Sequence, residues 1–590
     1  MKQRLYLVQV NNRYGENVYV PYSVGLLWAY ARTFKEITDA YEMVDFLYLK
    51  ESIDKAVEKI EAPDLIGLSC YIWNWEWCKA FSQAIKMKWP NCVIVVGGVQ
   101  VQDESPKILE EHPYFDFAIY GEGEGAFANF LKVHALDTAA TSYASVKSLI
   151  YRTYNGIVVN PRREFVPLDA LRSPYLDGVF DELWSREPRW QVLQETARGC
   201  PYACSFCSWG QAALTELRPF SEERVVNELK WFGQHKVDYL DNADANYGIL
   251  KRDIALTRVL AETKTKYGYP KTFRTSFAKN SNDTIWEIAN ILHKAKMLKS
   301  VTLAMQSMDD GVLINIKRKN IKFSKFGELI TRYETAGIPT YTELILGLPG
   351  ESLQMFIDGI DRNLEAGQHS GLFCYLNIML NNTEQNTPEY ITAHGLETRL
   401  LEAMLTHGTP DPTVIREKQE IIIATKAMPH ADWKRAYVYS KVIEIFHAQG
   451  LLQDVAVALN TRGVKYSTFY TRLIDWCHVN QDMVAGWGVR FIEQLLDKVL
   501  TGGSWDCVDP MLGDISWPPE EFVFAKICCQ LETFYDEIWP FLKSFGAEKT
   551  EIEKQARAIT PPAAGFVAEW AREVVWYGRK GYHKKMKRAS

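Results

Sequence analysis

Three cysteines lie within eight consecutive positions of this chain, in the stretch "GCPYACSFCSWG". They are Cys200, Cys204 and Cys207, with the spacing C-x3-C-x2-C. The chain has 11 cysteines, and the others are scattered along its 590 residues. Chance is therefore a weak explanation for the cluster of three. Thiol side chains at this spacing could form disulfides, bind a structural zinc ion or hold an iron–sulfur cluster.

The rest of the composition favours a metal centre over disulfides. The number of cysteines is odd, the chain opens with the strand-like "MKQRLYLVQV", and no long apolar run follows. These features indicate a reducing, soluble compartment, so we expect a cytoplasmic protein. A structural zinc would need a fourth ligand nearby, but the next histidine is His235 and the next cysteine is Cys374. Three thiolates leave one metal position open, which suits a reactive iron–sulfur cofactor.

The cysteine motif resembles the signature of radical S-adenosylmethionine (SAM) enzymes, because an aromatic residue, Phe206, precedes the last cysteine. The resemblance implies that Cys200, Cys204 and Cys207 hold a 4Fe-4S cluster. It also implies that the amino and carboxylate groups of SAM bind the fourth iron and that Phe206 lies against the adenine.

Length and charge restrict the class of protein further. At roughly 150 residues per domain, the chain is long enough for about three or four domains. The 67 basic and 73 acidic residues give a net charge of -6, which offers no electrostatic footprint for nucleic acid. No segment approaches the roughly 20 apolar residues of a membrane-spanning helix. The basic end "GRKGYHKKMKRAS" is typical of a solvated terminus.

Residues 1–135 alternate between apolar, strand-like runs and helix-like stretches, which predicts a doubly wound parallel sheet with helices on both faces. Such sheets bind ligands beyond the carboxyl ends of their strands. Glycines there let a ligand approach the backbone, although each of them taken alone is more often explained by a simple turn. The candidate ligand-binding residues at these ends are Gly97, Gly98, Gly121, Glu122, Gly123 and Glu124.

Together, "PYSVGLLWAYA", "VVGGVQVQDESP" and "YGEGE" resemble the cobalamin-binding domain that precedes the catalytic domain in one subgroup of radical SAM enzymes. The resemblance implies that these six residues contact cobalamin. Many mutases place a histidine below the cobalt, but here no histidine precedes His112. The subgroup commonly lacks that ligand, so we expect cobalamin without a histidine lower ligand.

Two further regions precede the C-terminal part. Residues 136–189 form a predicted connector, with a hairpin turn at Asn155-Gly156. Residues 190–385 contain six strand candidates separated by helical sequence, which predicts a partial (β/α)6 barrel. The cysteine motif follows the first barrel strand, and active sites of barrels lie at the carboxyl ends of the strands.

Polar residues end the other barrel strands, where they resemble the SAM contacts of the family. Turns and a helix-capping loop are the ordinary alternatives for these residues. The resemblance implies SAM-binding roles for Asp244, Asn246, Gln306, Ser307 and Glu343.

Residues 386–590 are rich in amphipathic helical patterns and aromatic residues. A partial barrel has an open side, and a helical domain of this kind is suited to cap the active site over a substrate.

The three regions together resemble the cobalamin-dependent (class B) radical SAM enzymes, most of which are methyltransferases. The resemblance implies that one SAM supplies the methyl group through methylcobalamin. A second SAM is cleaved to a 5'-deoxyadenosyl radical that takes hydrogen from an unactivated carbon. It also implies a small-molecule or peptide substrate and an electron donor such as flavodoxin or ferredoxin. A rearrangement or cyclisation, non-radical methyl transfer and a non-catalytic sensor stay open as alternatives, as do the substrate and the oligomeric state.

Overall fold

The structure is a computed structural model that describes residues 2–136, 140–209, 216–279, 283–369, 371–557 and 559. The chain divides into two compact units. The first unit consists of residues 1–299, 380–387 and 411–418, and the second consists of residues 300–379, 388–410 and 419–590.

The first unit begins with the predicted doubly wound sheet. Its five parallel strands follow the order β3-β1-β4-β5-β6, and two antiparallel strands, β7 and β8, extend it beyond β6. Apolar strand residues bury on both faces because helices cover a parallel sheet on both sides. The strands are β1 (Gln3–Asn11), β3 (Tyr41–Leu49), β4 (Leu65–Ser69), β5 (Val93–Gly97), β6 (Phe117–Ile119), β7 (Leu149–Thr153) and β8 (Gly156–Val159). The helices are α1 (Tyr22–Ala31), α2 (Lys35–Ala40), α3 (Ile53–Glu58), α4 (Trp75–Lys88), α5 (Lys107–Glu111), α6 (Gly123–Ala135) and α7 (Asp181–Trp184).

Two details of this unit differ from the division expected from sequence. The Asn155-Gly156 turn joins β7 to β8, and this hairpin belongs to the N-terminal sheet rather than to a separate connector. The short strand β2 (Asn17–Tyr19) lies in the N-terminal region of the sequence but pairs with the first barrel strand, β9 (Arg189–Gln194). Both differences arise from pairing between distant strands, which local patterns do not encode.

The first half of the barrel also lies in the first unit. Parallel strands follow the order β13-β12-β9-β2, and each barrel strand leads into a helix. A two-residue ladder joins β10 (Ala197–Arg198) to β11 (Arg218–Pro219) on either side of the cysteine motif. The remaining elements are α8 (Glu222–Gln234), β12 (Tyr239–Asn242), α9 (Asp253–Tyr267), β13 (Thr272–Arg274) and α10 (Asp283–Lys294).

The second unit contains the other three barrel strands, in the parallel order β14-β15-β16. Six strand–helix repeats therefore follow one another in the chain, as the sequence predicts, and three of their strands lie in each unit. The elements are β14 (Val301–Thr302), α11 (Asp310–Asn315), α12 (Phe323–Thr335), β15 (Thr340–Leu346), α13 (Leu353–Glu365), β16 (Leu372–Leu376) and α14 (Pro388–His394).

The C-terminal part is mostly helical, apart from the two-stranded sheet of β17 (Glu397–Glu402) and β18 (Lys418–Ala424). Within the described residues no single helix is long and apolar enough to cross a membrane, although the bent pair His430–Ala448 and Gln453–Thr461 passes by length and composition. The basic C-terminal end lies outside the described residues. The helices are α15 (His430–Val442), which continues as a π-helix over Ile443–Ala448, α16 (Gln453–Thr461), α17 (Tyr466–Val479), α18 (Val484–Leu500), α19 (Pro519–Cys528), α20 (Leu531–Ser544) and α21 (Lys549–Arg557).

Candidate active site

The cysteine motif forms a loop at the carboxyl end of the first barrel strand, and we call residues 200–207 the cluster loop. Cys200 and Cys204 are buried, Cys207 is half-buried, and none of the three forms a disulfide. The Cys207 N–H donates to the Cys204 carbonyl over 3.1 Å, which closes a turn between them. Phe206, the predicted adenine contact, is half-buried in this turn.

Nitrogen donors surround the cluster-loop thiols. The Asn246 amide Nδ2 donates to Cys200 Sγ over 3.1 Å, and the Lys279 ammonium donates to Cys204 Sγ over 3.3 Å. Burial raises the pKa of the Cys207 thiol, and the Trp209 backbone hydrogen bond and the Lys279 charge oppose that rise. Donors of this kind stabilise thiolates, so the loop offers the chemistry that a thiolate-bound iron–sulfur cluster requires.

The thiols are not arranged as a site for a single ion. Among the residues that the structure describes, no group of three or more His, Cys, Asp or Glu side chains is placed to hold one metal ion. Three thiols outside any disulfide, two of them with a side-chain N–H donor, fit the chemistry of a polynuclear cluster.

Asp244 supports the peptide that leads into the cluster loop. Its Oδ1 accepts the Thr196 N–H over 2.7 Å and the Ala197 N–H over 3.1 Å, and its Oδ2 accepts the Thr196 hydroxyl. Burial raises the pKa of this carboxyl to about 7. Both of its oxygens therefore hold protein partners, and a SAM contact of Asp244 stays a prediction.

Asn246 has one free hydrogen-bonding atom. The side chain is 3% exposed, its Nδ2 is engaged with Cys200, and its Oδ1 is buried without a hydrogen-bond partner in the described structure. A buried, unpaired acceptor is costly unless something donates to it. The predicted role of Asn246, accepting a hydrogen bond from the SAM amino group, fits this observation.

In the second unit, the predicted SAM contacts surround the central strand β15. Gln306 has a backbone φ of 63°, in the left-handed region. Residues other than glycine rarely adopt this conformation, and where they do it is often at a functional site. The Gln306 N–H donates to the Glu343 carbonyl, and its carbonyl accepts from the Ile345 N–H. Burial raises the pKa of the Glu343 carboxyl, and the charge of Arg318 opposes that rise.

Ser307 has a partner that sequence reasoning missed. Its hydroxyl donates to Glu351 Oε1 over 2.5 Å, and Glu351 is 2% exposed. Burial raises the pKa of Glu351 to about 8, and its Oε2 is a buried atom without a partner among the described residues. The signal was the glutamate in "GLPGES", which sequence analysis treated only as part of a loop.

One face of β15 and β16 carries aromatic side chains that the sequence analysis also missed. Glu343 pairs in register with Phe373, and Ile345 pairs with Tyr375. Phe373 is 39% exposed and Tyr375 is 51% exposed, while Tyr341 packs edge-on against Phe373 at 5.8 Å. The alternation in "LFCYL" was the signal, because every second residue of a strand points to the same face.

The glycine-rich strand ends of the N-terminal sheet have internal packing roles. Gly98 has φ 93°, and a Cβ there would lie 2.6 Å from the Cys70 carbonyl oxygen, so only glycine fits. A Cβ at Gly121 would lie 2.9 Å from Arg162 Nη1. Gly97 and Gly123 leave more room, with nearest atoms at 3.5 and 3.1 Å. A cobalamin contact at these glycines stays a prediction.

Glu122 and Glu124 are engaged in ion pairs with residues that flank the cluster loop. Arg198 lies 2.7 Å from Glu124 and 3.5 Å from Glu122, and Arg218 pairs with Glu122. Arg198 stands two residues before Cys200 in the sequence. These carboxylates therefore fix the N-terminal sheet to the start of the cluster loop, and their predicted contact with cobalamin stays a prediction.

An aromatic pair lies at the strand end where the sheet reverses its direction of winding. The order β3-β1-β4 places that reversal between β1 and β4, where open α/β sheets bind their ligands. Tyr71 and Trp73 follow β4, with parallel rings 4.3 Å apart, and Trp73 is 43% exposed. Asn74 holds this loop by accepting from the Tyr71 N–H and donating to the Ser69 carbonyl. Sequence analysis missed these residues, although "YIWNWEW" follows a predicted strand.

The fold and the cysteine loop define the class of protein as a radical SAM enzyme in which a cobalamin-type sheet precedes the barrel. Comparisons with known proteins agree with this class. Residues 27–131 match the B12 binding domain family, and residues 195–362 match the Radical SAM superfamily. The chain is 37% identical to the cobalamin-dependent radical SAM methyltransferase TokK of Streptomyces tokunonensis, over 82% of this chain and 71% of that protein. It is 36% identical to the 2-(S-pantetheinyl)-carbapenam-3-carboxylate methyltransferase of Streptantibioticus cattleyicolor, over 95% of this chain and 86% of that protein.

Solved structures support the fold. A structure of the radical SAM methyltransferase TsrM from Kitasatospora setae, with cobalamin and a 4Fe-4S cluster bound, has a TM-score of 0.55 at 15% identity and covers 74% of this chain and 88% of TsrM. A structure of the cobalamin-dependent radical enzyme OxsB has a TM-score of 0.52 at 13% identity and covers 94% of this chain and 83% of OxsB.

The chain belongs to the cobalamin-dependent radical SAM methyltransferases. It is therefore an enzyme, and its cofactors are cobalamin, SAM and a 4Fe-4S cluster, as the cysteine motif and the N-terminal sheet predict.

Proposed function

We propose that the protein methylates a carbon atom of a small carbapenam-type carboxylate that carries a pantetheinyl thioether. The observation that carries this proposal is the 36% identity to the 2-(S-pantetheinyl)-carbapenam-3-carboxylate methyltransferase, which extends over 95% of the chain. An alignment of that extent includes the C-terminal half as well as the two cofactor domains. A shared substrate class is the simplest reason for similarity outside the cofactor domains.

Residues of the first unit hold the cluster and contact SAM. Cys200, Cys204 and Cys207 bind the cluster, Asn246 Oδ1 accepts from the SAM amino group, and Phe206 supports the adenine. With cobalamin bound as well, the cofactors supply the radical that activates a C–H bond and the methyl group that replaces the hydrogen. The burial of Cys200 and Cys204 keeps water from the cluster side of the site.

Cobalamin lies at the carboxyl edge of the N-terminal sheet in this proposal. Trp73, stacked on Tyr71, offers a flat apolar surface for the corrin ring, and Gly98 allows close approach beside it. No histidine precedes His112 in the sequence, so residues 1–111 would supply no histidine ligand to the cobalt.

The aromatic face of β15 and β16 contributes to substrate binding in the second unit. Tyr341, Phe373 and Tyr375 present apolar surface for the bicyclic body and the methylene groups of the thioether arm.

The proposal extends to the electron donor and the compartment. A low-potential one-electron protein such as flavodoxin or ferredoxin reduces the cluster. A reducing cytoplasm is the compartment proposed, and it is supported by the 11 cysteines, none of which forms a disulfide.

The proposal is tested by incubating the anaerobically reconstituted enzyme with SAM, a reductant and 2-(S-pantetheinyl)-carbapenam-3-carboxylate. Mass spectrometry of the products is expected to show the substrate mass increased by one methylene unit. The matched control is the same bicyclic carboxylate without the pantetheinyl arm, which we expect to be a poor substrate. Absence of the methylated product from an enzyme that still cleaves SAM would reject this substrate class and leave the family assignment intact.

A variant pair tests the aromatic face. Phe373→Ala removes a ring that is 39% exposed on this face, whereas Phe323→Ala removes a ring of similar exposure, 38%, from helix α12. Loss of one substrate–ring contact of about 1.4 kcal/mol lowers kcat/KM about ten-fold. We expect that loss, mainly through KM, in Phe373→Ala only. Equal kinetics in the two variants would remove this face from the substrate site.

A further inference from the structure

Two cluster-loop sulfurs have side-chain hydrogen-bond donors that come from other strand ends. Asn246 Nδ2 lies 3.1 Å from Cys200 Sγ, and Lys279 Nζ lies 3.3 Å from Cys204 Sγ. Asn246 follows β12 and Lys279 follows β13, so each donor reaches the loop from a different strand. All four residues belong to the first unit.

The two donors are fixed by a common stretch of backbone. The Tyr247 N–H donates to the Ser276 carbonyl over 2.9 Å, and the Ala278 N–H donates to the Tyr247 carbonyl over 2.9 Å. These bonds tie the residue after Asn246 to the residue before Lys279. The arrangement reduces the entropy that each side chain loses when it contacts sulfur.

Lys279 has a second contact with the cluster loop. Its ammonium lies 5.0 Å from the centre of the Tyr202 ring, within the range of a cation–π interaction. The lysine therefore contacts the loop at Tyr202 and at Cys204, two residues apart. Both contacts bring a positive charge towards the same part of the loop.

Hydrogen bonds to cluster sulfurs affect the reduction potential because reduction adds negative charge to the cluster. An N–H donor stabilises the more negative, reduced state, and burial of the site destabilises it. A charged donor is stronger than a neutral one. Lys279 should therefore raise the potential more than Asn246 does.

We propose that Lys279 and Asn246 are positioning residues that hold the Cys204 and Cys200 thiolates and raise the reduction potential of the cluster. The proposal rests on the cluster assignment made under the proposed function. One electron passes from the external protein donor to the cluster, and neither side chain is oxidised or reduced. The two residues thereby bring the cluster within reach of a biological electron donor.

The test uses Lys279→Met and Asn246→Leu, which keep side-chain size and remove the donors. Lys251→Met is the matched control, because Lys251 is an exposed lysine of the same unit. The anaerobically reconstituted full-length proteins are analysed for iron and sulfide and are then titrated potentiometrically without SAM, with EPR detection of the reduced cluster. We expect full cluster content and a more negative midpoint potential, with the larger shift in Lys279→Met and none in the control.

Unchanged midpoint potentials in both donor variants, at full cluster content, would overturn the proposal. Where Lys279→Met loses the cluster, Lys279→Arg supplies the second measurement, because it keeps the charge and the N–H donors. Recovery of cluster content and potential in Lys279→Arg supports the proposal, and failure to recover overturns it. Failure of the cluster assignment itself would show separately, as a cluster retained by the variant in which all three cysteines are replaced with alanine.

Discussion

Glu351 is a buried carboxyl with too few partners to remain ionised at neutral pH. It is 2% exposed, its Oε1 accepts from Ser307 over 2.5 Å, and its Oε2 has no partner in the described structure. Burial raises its pKa to about 8 from an ordinary value of 4.5. The Glu351 carboxyl is therefore protonated at neutral pH, and its hydrogen bond with Ser307 is made in that protonated state.

The raised pKa makes stability depend on pH in a defined direction. The folded state keeps a proton that the unfolded chain loses above its ordinary pKa, so the stabilisation is complete below about pH 4.5 and is lost as pH rises towards about 8. At about 1.4 kcal/mol per pKa unit, a rise of about 3.5 units corresponds to roughly 5 kcal/mol as an upper bound.

Glu351→Gln imitates the protonated acid and removes the titration. Near pH 4.5 we expect its unfolding free energy to stay within about 1 kcal/mol of the wild type, since the unfolded wild type has not yet lost much of its proton and the Ser307 hydrogen bond is kept. Near pH 9 the variant should exceed the wild type by several kcal/mol, within the bound of roughly 5. Urea unfolding followed by tryptophan fluorescence across this pH range, under anaerobic conditions, measures the difference.

The control for this comparison is Glu389→Gln, which replaces an exposed glutamate in the same unit. Its pH dependence should match that of the wild type. If Glu351→Gln also keeps the wild-type pH dependence, Glu351 is ionised in the folded protein and the reasoning from its burial is refuted.

Three further predictions concern the cofactor sites. Replacing the three cluster-loop cysteines with alanine should abolish iron and sulfide binding and the EPR signal of the reduced cluster, and a cluster that survives would contradict the assignment. Trp73→Ala should weaken cobalamin binding about ten-fold, for a lost contact of about 1.4 kcal/mol, whereas Tyr154→Ala, at an exposed hairpin tip, should not; equal affinities would exclude the aromatic pair. EPR of bound cob(II)alamin should lack splitting from an axial nitrogen, because no histidine precedes His112, and such splitting would show a ligand that this account omits.

The fold was predictable because its signals are local. Apolar runs such as "VIVVG" and "LIGLS" became buried strands, and the turn at Asn155-Gly156 joins β7 to β8. The membership of β2 in the barrel sheet was not predictable, because a three-residue strand carries little pattern and its partner is far along the chain.

The candidate site was predictable in part, for the same physical reason. The cysteine spacing is a local motif, but the partners of the predicted residues come from distant positions. Glu124 pairs with Arg198, and Ser307 bonds to Glu351, at separations of 74 and 44 residues. The identity of a side chain gives its donors and acceptors, whereas the fold decides which of them are already engaged.

The central claim is that methylation uses two SAM molecules in different ways, and the most direct test measures three products of one anaerobic reaction. S-adenosylhomocysteine, 5'-deoxyadenosine and methylated substrate should form in about equal amounts once uncoupled SAM cleavage is subtracted. Deuterium at the reacting carbon should appear in the 5'-deoxyadenosine, and Cys204→Ala should abolish that product. Methylated substrate formed with S-adenosylhomocysteine but without 5'-deoxyadenosine would contradict the claim.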